Sequence, residues 1–103
     1  MRGAVNRLYY GCFYAVLALL LTEGYSSSKH TGVQALFDFH WVKSGRLPAE
    51  MGRFLHRLFD YRQMGDYGKK TAFTREDVEA WSHQADSFIA EIHRRTAMHI
   101  EEP

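Results

Sequence analysis

The hydrophobic residues of this chain recur at helical spacing, and the first such stretch is the most apolar. Residues 8–21 contain no charged side chain. The run is too short to span a bilayer and has no small-residue cleavage site, so it predicts a central packed helix rather than a membrane span or a signal peptide. Because the run is apolar nearly all round, we expect more than one side to be covered, in part by a second subunit.

Three later stretches repeat apolar residues every three or four positions, as amphipathic helices do. Their apolar positions are Val33, Leu36, Phe37, His40 and Trp41 in the first, Met51, Phe54, Leu55, Leu58 and Phe59 in the second, and Val78, Trp81, Ala85, Phe88, Ile89 and Ile92 in the third. No stretch alternates apolar and polar residues as a strand would. The pattern therefore predicts four main helices.

Turn-forming residues separate the predicted helices, at positions 23–28, 44–45 and 69–73. Thr31 with Gln34, and Thr74 with Asp77, have the spacing of capping boxes at the starts of the second and last helices. Short connections between four helices predict an all-α, antiparallel up-down bundle. We expect one domain over residues 1–95 and a frayed tail over residues 96–103.

Composition narrows the class of protein. The 103 residues are 46% hydrophobic and 15% aromatic, which is typical of one folded globular domain. A formal net charge of +1 gives no bulk attraction to nucleic acid or to an anionic membrane. The single cysteine, Cys12, excludes an internal disulfide and agrees with a cytoplasmic location.

An arginine breaks the apolar face of the third helix. Arg62 lies eleven residues beyond Met51, about three helical turns, so it falls on nearly the same inward face. A guanidinium cannot lose its charge and is costly to bury without partners. Asp66 follows one turn later and Tyr67 comes directly after it. We expect Arg62 to be substantially buried and to contact Asp66, Tyr67 or the first helix.

Two other groups are candidate ligand-binding residues. Arg7, Tyr10 and Tyr14 share one face of the first helix and could join Arg62 around a phosphate group, or could form only a polar seam between helices. Lys29 and His30 precede a predicted helix N-terminus, where backbone amides favour anions, although a solvated loop is the simpler interpretation. The six histidines are scattered, so we expect no metal site and no cofactor.

Three blocks of the sequence resemble HEPN-domain proteins, the helical "higher eukaryotes and prokaryotes nucleotide-binding" family. They are VNRLYYGCFYA at residues 5–15, SKHTGV at 28–33 and FDYRQMGDY at 59–67, and they occur in the family's order. The resemblance covers roughly residues 4–93. Relatives usually carry another helix before the first block. We therefore expect either a start codon placed late or a short form whose apolar face meets a partner.

This resemblance implies several functions. Many HEPN proteins are toxins or defence ribonucleases, or work with a nucleotidyltransferase encoded beside them. The active members use an arginine, four to six intervening residues and a histidine, and two copies meet in a homodimer to cleave RNA without metal. Arg62 matches the arginine, but Tyr67 stands where the histidine would be. A tyrosine is a poor base at neutral pH, so we expect feeble cleavage or none.

Three hypotheses remain for the function. In the first, which we favour, Arg62 and its neighbours bind RNA or a nucleotide in a module that works with a nucleotidyltransferase partner, as in a toxin–antitoxin or defence system. In the second, the chain is a metal-independent ribonuclease, with Asp66 or Tyr67 carrying the proton and Arg62 holding the phosphate. In the third, the bundle only dimerises, and Arg62 and Asp66 form an ion pair that closes its end.

Overall fold

The computed structural model describes the backbone of residues 2–66 and 73–101, and the side chains of residues 3–64 and 73–101. Over these ranges the chain is helical and contains no strand. The helices are α1 (Arg2–Thr22), α2 (His30–Phe37), α3 (Ala49–Asp66) and α4 (Arg75–Glu101), and α2 continues into a π-helical segment (Asp38–Val42). The predicted all-α bundle of four main helices is confirmed.

The apolar helix α1 is the centre of the bundle, because it packs against α2, α3 and α4. Most of its large side chains are buried, and fully burying one aliphatic or aromatic side chain stabilises the fold by roughly 1.5–3 kcal/mol. The side chains of α1 in the core are Val5, Tyr9, Cys12, Phe13, Ala15, Val16, Leu19 and Leu20. The prediction of a central packed helix is therefore correct.

By length and composition alone, Gly3–Thr22 could also cross a membrane. Its packing against three other helices is that of a core helix in a globular bundle. One face of α1 nevertheless remains exposed along the whole helix. We call it the α1 outer stripe, and it consists of Gly3, Arg7, Gly11, Tyr14, Ala18 and Leu21.

The C-terminus of α1 is closed by a Schellman motif. The amide of Tyr25 donates to the carbonyl of Leu20 at 2.9 Å, and the amide of Gly24 donates to the carbonyl of Leu21 at 3.1 Å. Gly24 has a φ of 83°, a left-handed conformation that a residue without a Cβ adopts at little cost. This turn brings Glu23 back against the rest of the bundle.

Glu23 joins three other elements at this end of the molecule. Its carboxylate accepts hydrogen bonds from Trp41 Nε1 at 2.6 Å and from Arg46 Nη1 at 2.8 Å, and His99 Nε2 lies 3.7 Å away. The Arg46 guanidinium also lies over the Trp41 ring, 4.2 Å from its centroid. Burial alone would raise the pKa of Glu23, but these hydrogen bonds and charges hold it below its usual value.

The two predicted capping boxes have different outcomes. At the start of α4, Asp77 N donates to Thr74 Oγ1 at 3.0 Å and Thr74 N donates to Asp77 Oδ2 at 3.1 Å, so this box is confirmed. The prediction of a capping box formed by Thr31 and Gln34 is wrong. Helix α2 begins two residues earlier than this box predicts, with Lys29 as an N-cap that makes no side-chain cap bond, and Gln34 is buried in the core.

Helix α4 continues to Glu101, through the first part of the segment for which the sequence predicts fraying. Thr96 Oγ1 donates to the Ile92 carbonyl at 2.9 Å, and the His99 ring meets the Trp41 ring edge-on, with centroids 5.4 Å apart. The second contact ties the last turns of α4 to Glu23, Trp41 and Arg46, which we call the Glu23 cluster.

Replacing Glu23 with Gln should lower the free energy of unfolding at pH 7 by about 1–2 kcal/mol, because charge-assisted hydrogen bonds are lost. The folded-state pKa of Glu23 lies below its ordinary value of 4.5, so its contribution is present above that pH and disappears as pH falls through the folded-state value. Urea denaturation at several pH values should therefore show a weaker acid dependence for Glu23→Gln than for the wild type.

The matched control is Glu79→Gln. Glu79 is exposed on α4 and forms no ion pair within the described part of the chain. Its replacement should change stability by less than about 0.5 kcal/mol. Equal effects of the two substitutions would contradict a specific role for Glu23.

Candidate functional site

Arg62 extends the inward face of α3 towards the first helix. It lies one turn beyond the buried residue Leu58 and is itself half-buried. Arg62 Nη2 donates a hydrogen bond to Tyr10 Oη at 2.9 Å. The guanidinium carbon lies 5.0 Å from the Tyr10 ring centroid and 5.7 Å from that of Tyr9. The expected contact of Arg62 with the Tyr10 face of α1 is confirmed, but the side chain is half-buried and not substantially buried as predicted.

Tyr9 carries a hydroxyl group into the core beside Arg62. The side chain is fully buried, and its hydroxyl oxygen accepts a hydrogen bond from Gln34 Nε2 at 3.3 Å and lies 2.8 Å from His30 Nδ1. Burial raises the pKa of Tyr9 to about 12, against smaller opposing effects of Gln34 and Arg62. The Tyr9 hydroxyl therefore keeps its proton at neutral pH.

His30 is the first residue of α2 and is packed among aromatic rings, not placed in a solvated loop. Its imidazole stacks on Phe13, with centroids 4.3 Å apart and planes 15° apart. The ring of Tyr10 meets it edge-on at 5.9 Å. Burial, and secondarily the charge of Arg62, lower the pKa of His30 below its usual value. His30 is therefore mostly neutral at pH 7.

Tyr14 forms the outer edge of this cluster. Its side chain is 60% exposed, and its ring stacks against that of Tyr10, with centroids 5.8 Å apart and planes 24° apart. Since Tyr10 also contacts Arg62, an exposed aromatic ring lies next to a fixed positive charge. We call the group Arg62, Tyr10, Tyr14, His30 and Tyr9 the Arg62 site.

The remaining predicted site residues are not brought into this cluster or cannot be placed. Arg7 and Lys29 are both exposed, and within the described residues neither side chain forms a hydrogen bond or an ion pair. The backbone of Lys29 caps α2 beside His30. Tyr67 and the side chain of Asp66 lie outside the described residues.

Sequence reasoning missed Tyr9, a member of the Arg62 site, and its hydrogen-bond partner Gln34. Gln34 is only 2% exposed, and it is the only buried polar residue among the described side chains. A signal was available, since Gln34 lies between the apolar positions Val33 and Phe37 and one turn after His30. A glutamine on the inward face of a short helix predicts a buried hydrogen-bond partner, which here is Tyr9.

The arrangement suits recognition of an anion. A guanidinium presents its donors in a planar fork that suits a phosphate or carboxylate, and the Tyr10 hydroxyl, which accepts from Arg62 Nη2, also has a hydrogen of its own to donate. An exposed aromatic ring beside a cation is also how proteins hold an unpaired base next to its phosphate. No group of three or more metal-ligating side chains occurs in the part of the chain that the structure describes.

Comparison with known proteins gives a consistent picture. A family model described as HEPN domain matches residues 1–95. A UPF0332 protein of Thermotoga maritima is 45% identical over 94 residues, which are 91% of this chain and 71% of that protein. A Methanocaldococcus jannaschii protein named as a candidate toxin is 35% identical over 86 residues, which are 84% of this chain and 58% of that protein.

A second UPF0332 protein, from Gloeobacter violaceus, is 36% identical over 87 residues, covering 84% of this chain and 69% of the relative. The chain thus spans between about half and three quarters of the length of these relatives. No solved structure matched the chain.

The link between Tyr10 and Arg62 should be measurable in the free protein. Tyr10→Phe keeps the ring but removes the acceptor of the Arg62 hydrogen bond, so we expect the free energy of unfolding to fall by about 1–2 kcal/mol. Urea denaturation followed by circular dichroism measures this change.

Tyr14→Phe is the matched control, because the Tyr14 side chain is mostly exposed and its hydroxyl makes no hydrogen bond to a described residue. It should alter stability by less than about 0.5 kcal/mol. A Tyr10→Phe variant as stable as Tyr14→Phe would show that the Arg62–Tyr10 bond does not hold α3 against α1.

Proposed function

The chain belongs to the HEPN domain family, and we propose that it is an RNA- or nucleotide-binding module in which Arg62 holds a phosphate group. The observation that carries the proposal is the position of Arg62, fixed by Tyr10 at the edge of the core and next to the exposed ring of Tyr14. A phosphate oxygen is the natural partner of a guanidinium held in this way.

Partial burial strengthens such a contact. In the low dielectric at the edge of a core, a charge-assisted hydrogen bond is stronger than one on an open surface. Because Tyr10 and Tyr9 already hold the guanidinium, less side-chain entropy is lost when a ligand binds. Arg62 therefore has the properties expected of a phosphate anchor.

The biological setting is part of the proposal. Two Methanocaldococcus jannaschii relatives are named as candidate toxins, which supports a toxin–antitoxin setting for this chain. Within such a system the chain would work with a nucleotidyltransferase as its protein partner, in the cytoplasm. A nucleotidyltransferase gene next to its own, and co-purification of the two products, would support this pairing.

A homodimer is the second part of the assembly that we propose. The α1 outer stripe exposes Tyr14 at 60% and Leu21 at 56%, with the small, exposed residue Ala18 between them. An apolar face of this kind on a core helix marks a surface that another molecule covers. In a symmetric dimer through this stripe, the two Arg62 sites would lie close to the interface, because Tyr14 belongs to both.

Arg62→Ala should weaken binding of a single-stranded oligouridylate at least ten-fold, since a charge-assisted contact to phosphate is lost. Fluorescence anisotropy at fixed ionic strength measures the affinity, and circular dichroism checks the fold. Arg53→Ala is the matched control, because Arg53 is exposed on the same helix and forms no ion pair within the described residues.

If Arg62→Ala and Arg53→Ala lose the same affinity for the oligouridylate, the binding is general electrostatic attraction and the proposal is contradicted.

An RNA digestion in the presence of a chelator distinguishes the proposed binding module from the two alternative functions. Robust cleavage by the wild type that disappears in Arg62→Ala would favour the metal-independent ribonuclease with its Arg-x4-Tyr motif. Neither binding nor cleavage would favour a purely structural bundle.

The dimer can be tested on the same stripe. Ala18→Glu places a charge in the middle of the proposed interface, so sedimentation at micromolar concentration should show a dimer for the wild type and a monomer for the variant. Ala80→Glu, at an exposed alanine of α4, should leave the dimer intact. A monomeric wild-type protein would contradict this part of the proposal.

A further inference from the structure

The family motif places a histidine where this chain has Tyr67, but another histidine, His30, lies next to Arg62 in the structure. His30 and Arg62 come from different helices, and both contact the same two rings: Tyr10 lies 5.9 Å from the imidazole centroid and 5.0 Å from the guanidinium carbon. The Tyr9 ring lies 5.7 Å from each of them. The two tyrosines therefore hold an imidazole and a guanidinium side by side at one end of the bundle.

The hydrogen bonds of Tyr9 determine which nitrogen of His30 carries the proton. Gln34 Nε2 can only donate, so the Tyr9 oxygen accepts at 3.3 Å. The hydroxyl hydrogen of the buried Tyr9 needs an acceptor of its own, and we assign it to His30 Nδ1, 2.8 Å away, because this is the acceptor within reach among the described residues. A ring nitrogen that accepts carries no hydrogen, so the neutral imidazole has its proton on Nε2.

The Nε2 atom faces away from this internal chain of hydrogen bonds. The two nitrogens of an imidazole point in roughly opposite directions, so a ring whose Nδ1 bonds the buried Tyr9 hydroxyl presents Nε2 outward. Nε2 forms no hydrogen bond with any described residue, and it is not among the polar atoms that are sealed from solvent. An oriented N–H donor is thus available beside Arg62.

We propose that His30 is a ligand-contacting residue whose Nε2–H donates a hydrogen bond to an oxygen of the phosphate group that Arg62 holds. The inference rests on the proposed function and names a second contact in the same site. Gln34 and Tyr9 act as positioning residues, since they fix the tautomer and the plane of the ring without touching the ligand. Stacking on Phe13 at 4.3 Å restrains the ring further.

Two substitutions at the same position provide a matched test. His30→Asn keeps an acceptor near the position of Nδ1 for the Tyr9 hydroxyl but removes the outward donor, and it should weaken oligouridylate binding about ten-fold. His30→Gln places an amide N–H near the position of Nε2, so its affinity should stay within about three-fold of the wild type. Thermal unfolding checks that both variants fold.

Three probes distinguish the sources of the phosphate: a single-stranded oligouridylate, ATP and inorganic phosphate. If His30→Asn loses affinity for every probe that the wild type binds, the contact is to the phosphate group itself. A loss confined to the oligouridylate, with ATP and phosphate bound normally, would overturn that assignment, because the contact would then be to another part of the RNA.

The tautomer gives a measurement that needs no variant. Nitrogen-15 spectra of the wild-type imidazole should show the proton of His30 on Nε2, and Tyr9→Phe should remove this preference and weaken binding. A proton on Nδ1 would overturn the inference. Wild-type affinity in His30→Asn, with binding lost in Arg62→Ala, would refute the role of His30 alone, whereas wild-type affinity in Arg62→Ala would refute the proposed function itself.

Discussion

The burial of α1 is the constraint on which the rest of this structure depends. A helix without a charged residue from position 8 to position 21 must be covered, and the other three helices cover all of it except the α1 outer stripe. The Arg62 site and the Glu23 cluster are both attached to this helix, since each joins a residue of α1, or of the turn that ends it, to a later helix.

These two polar clusters differ in how much of each is exposed at the protein surface. At Glu23 the carboxylate is enclosed by Trp41 and Arg46, and the arrangement closes one end of α1. At Arg62 the neutral hydroxyl of Tyr10 accepts a hydrogen bond, and the exposed ring of Tyr14 stacks on Tyr10. The Arg62 site therefore reaches the protein surface, whereas the Glu23 carboxylate is mostly enclosed.

Residue spacing within a few turns predicts the helices, whereas the Arg62 site is formed by contacts between residues far apart in the sequence. The capping pair at Thr74 and Asp77 could be predicted because both partners lie within one turn. The helical register also placed Arg62 inward. The same spacing rule predicts a capping role for Gln34. Its actual partner, Tyr9, is twenty-five residues away in the sequence, and no local pattern indicates that contact. The exposure of Arg7 and the π-helical segment likewise depend on packing that spacing alone does not specify.

The position of His30 shows why a motif along one helix is an incomplete description of a site in a bundle. In the sequence, Tyr67 stands where a histidine would complete the family pattern, yet in the structure an imidazole reaches Tyr9 and Tyr10 from α2. Here the last turns of α3 lie near the start of α2, so Arg62 and His30 contact the same two rings of α1. The groups around a phosphate can therefore be supplied by different helices, provided that a buried residue such as Tyr9 fixes their orientation. For this chain the tyrosines of α1 connect Arg62 to His30, since both Tyr9 and Tyr10 contact the guanidinium and the imidazole.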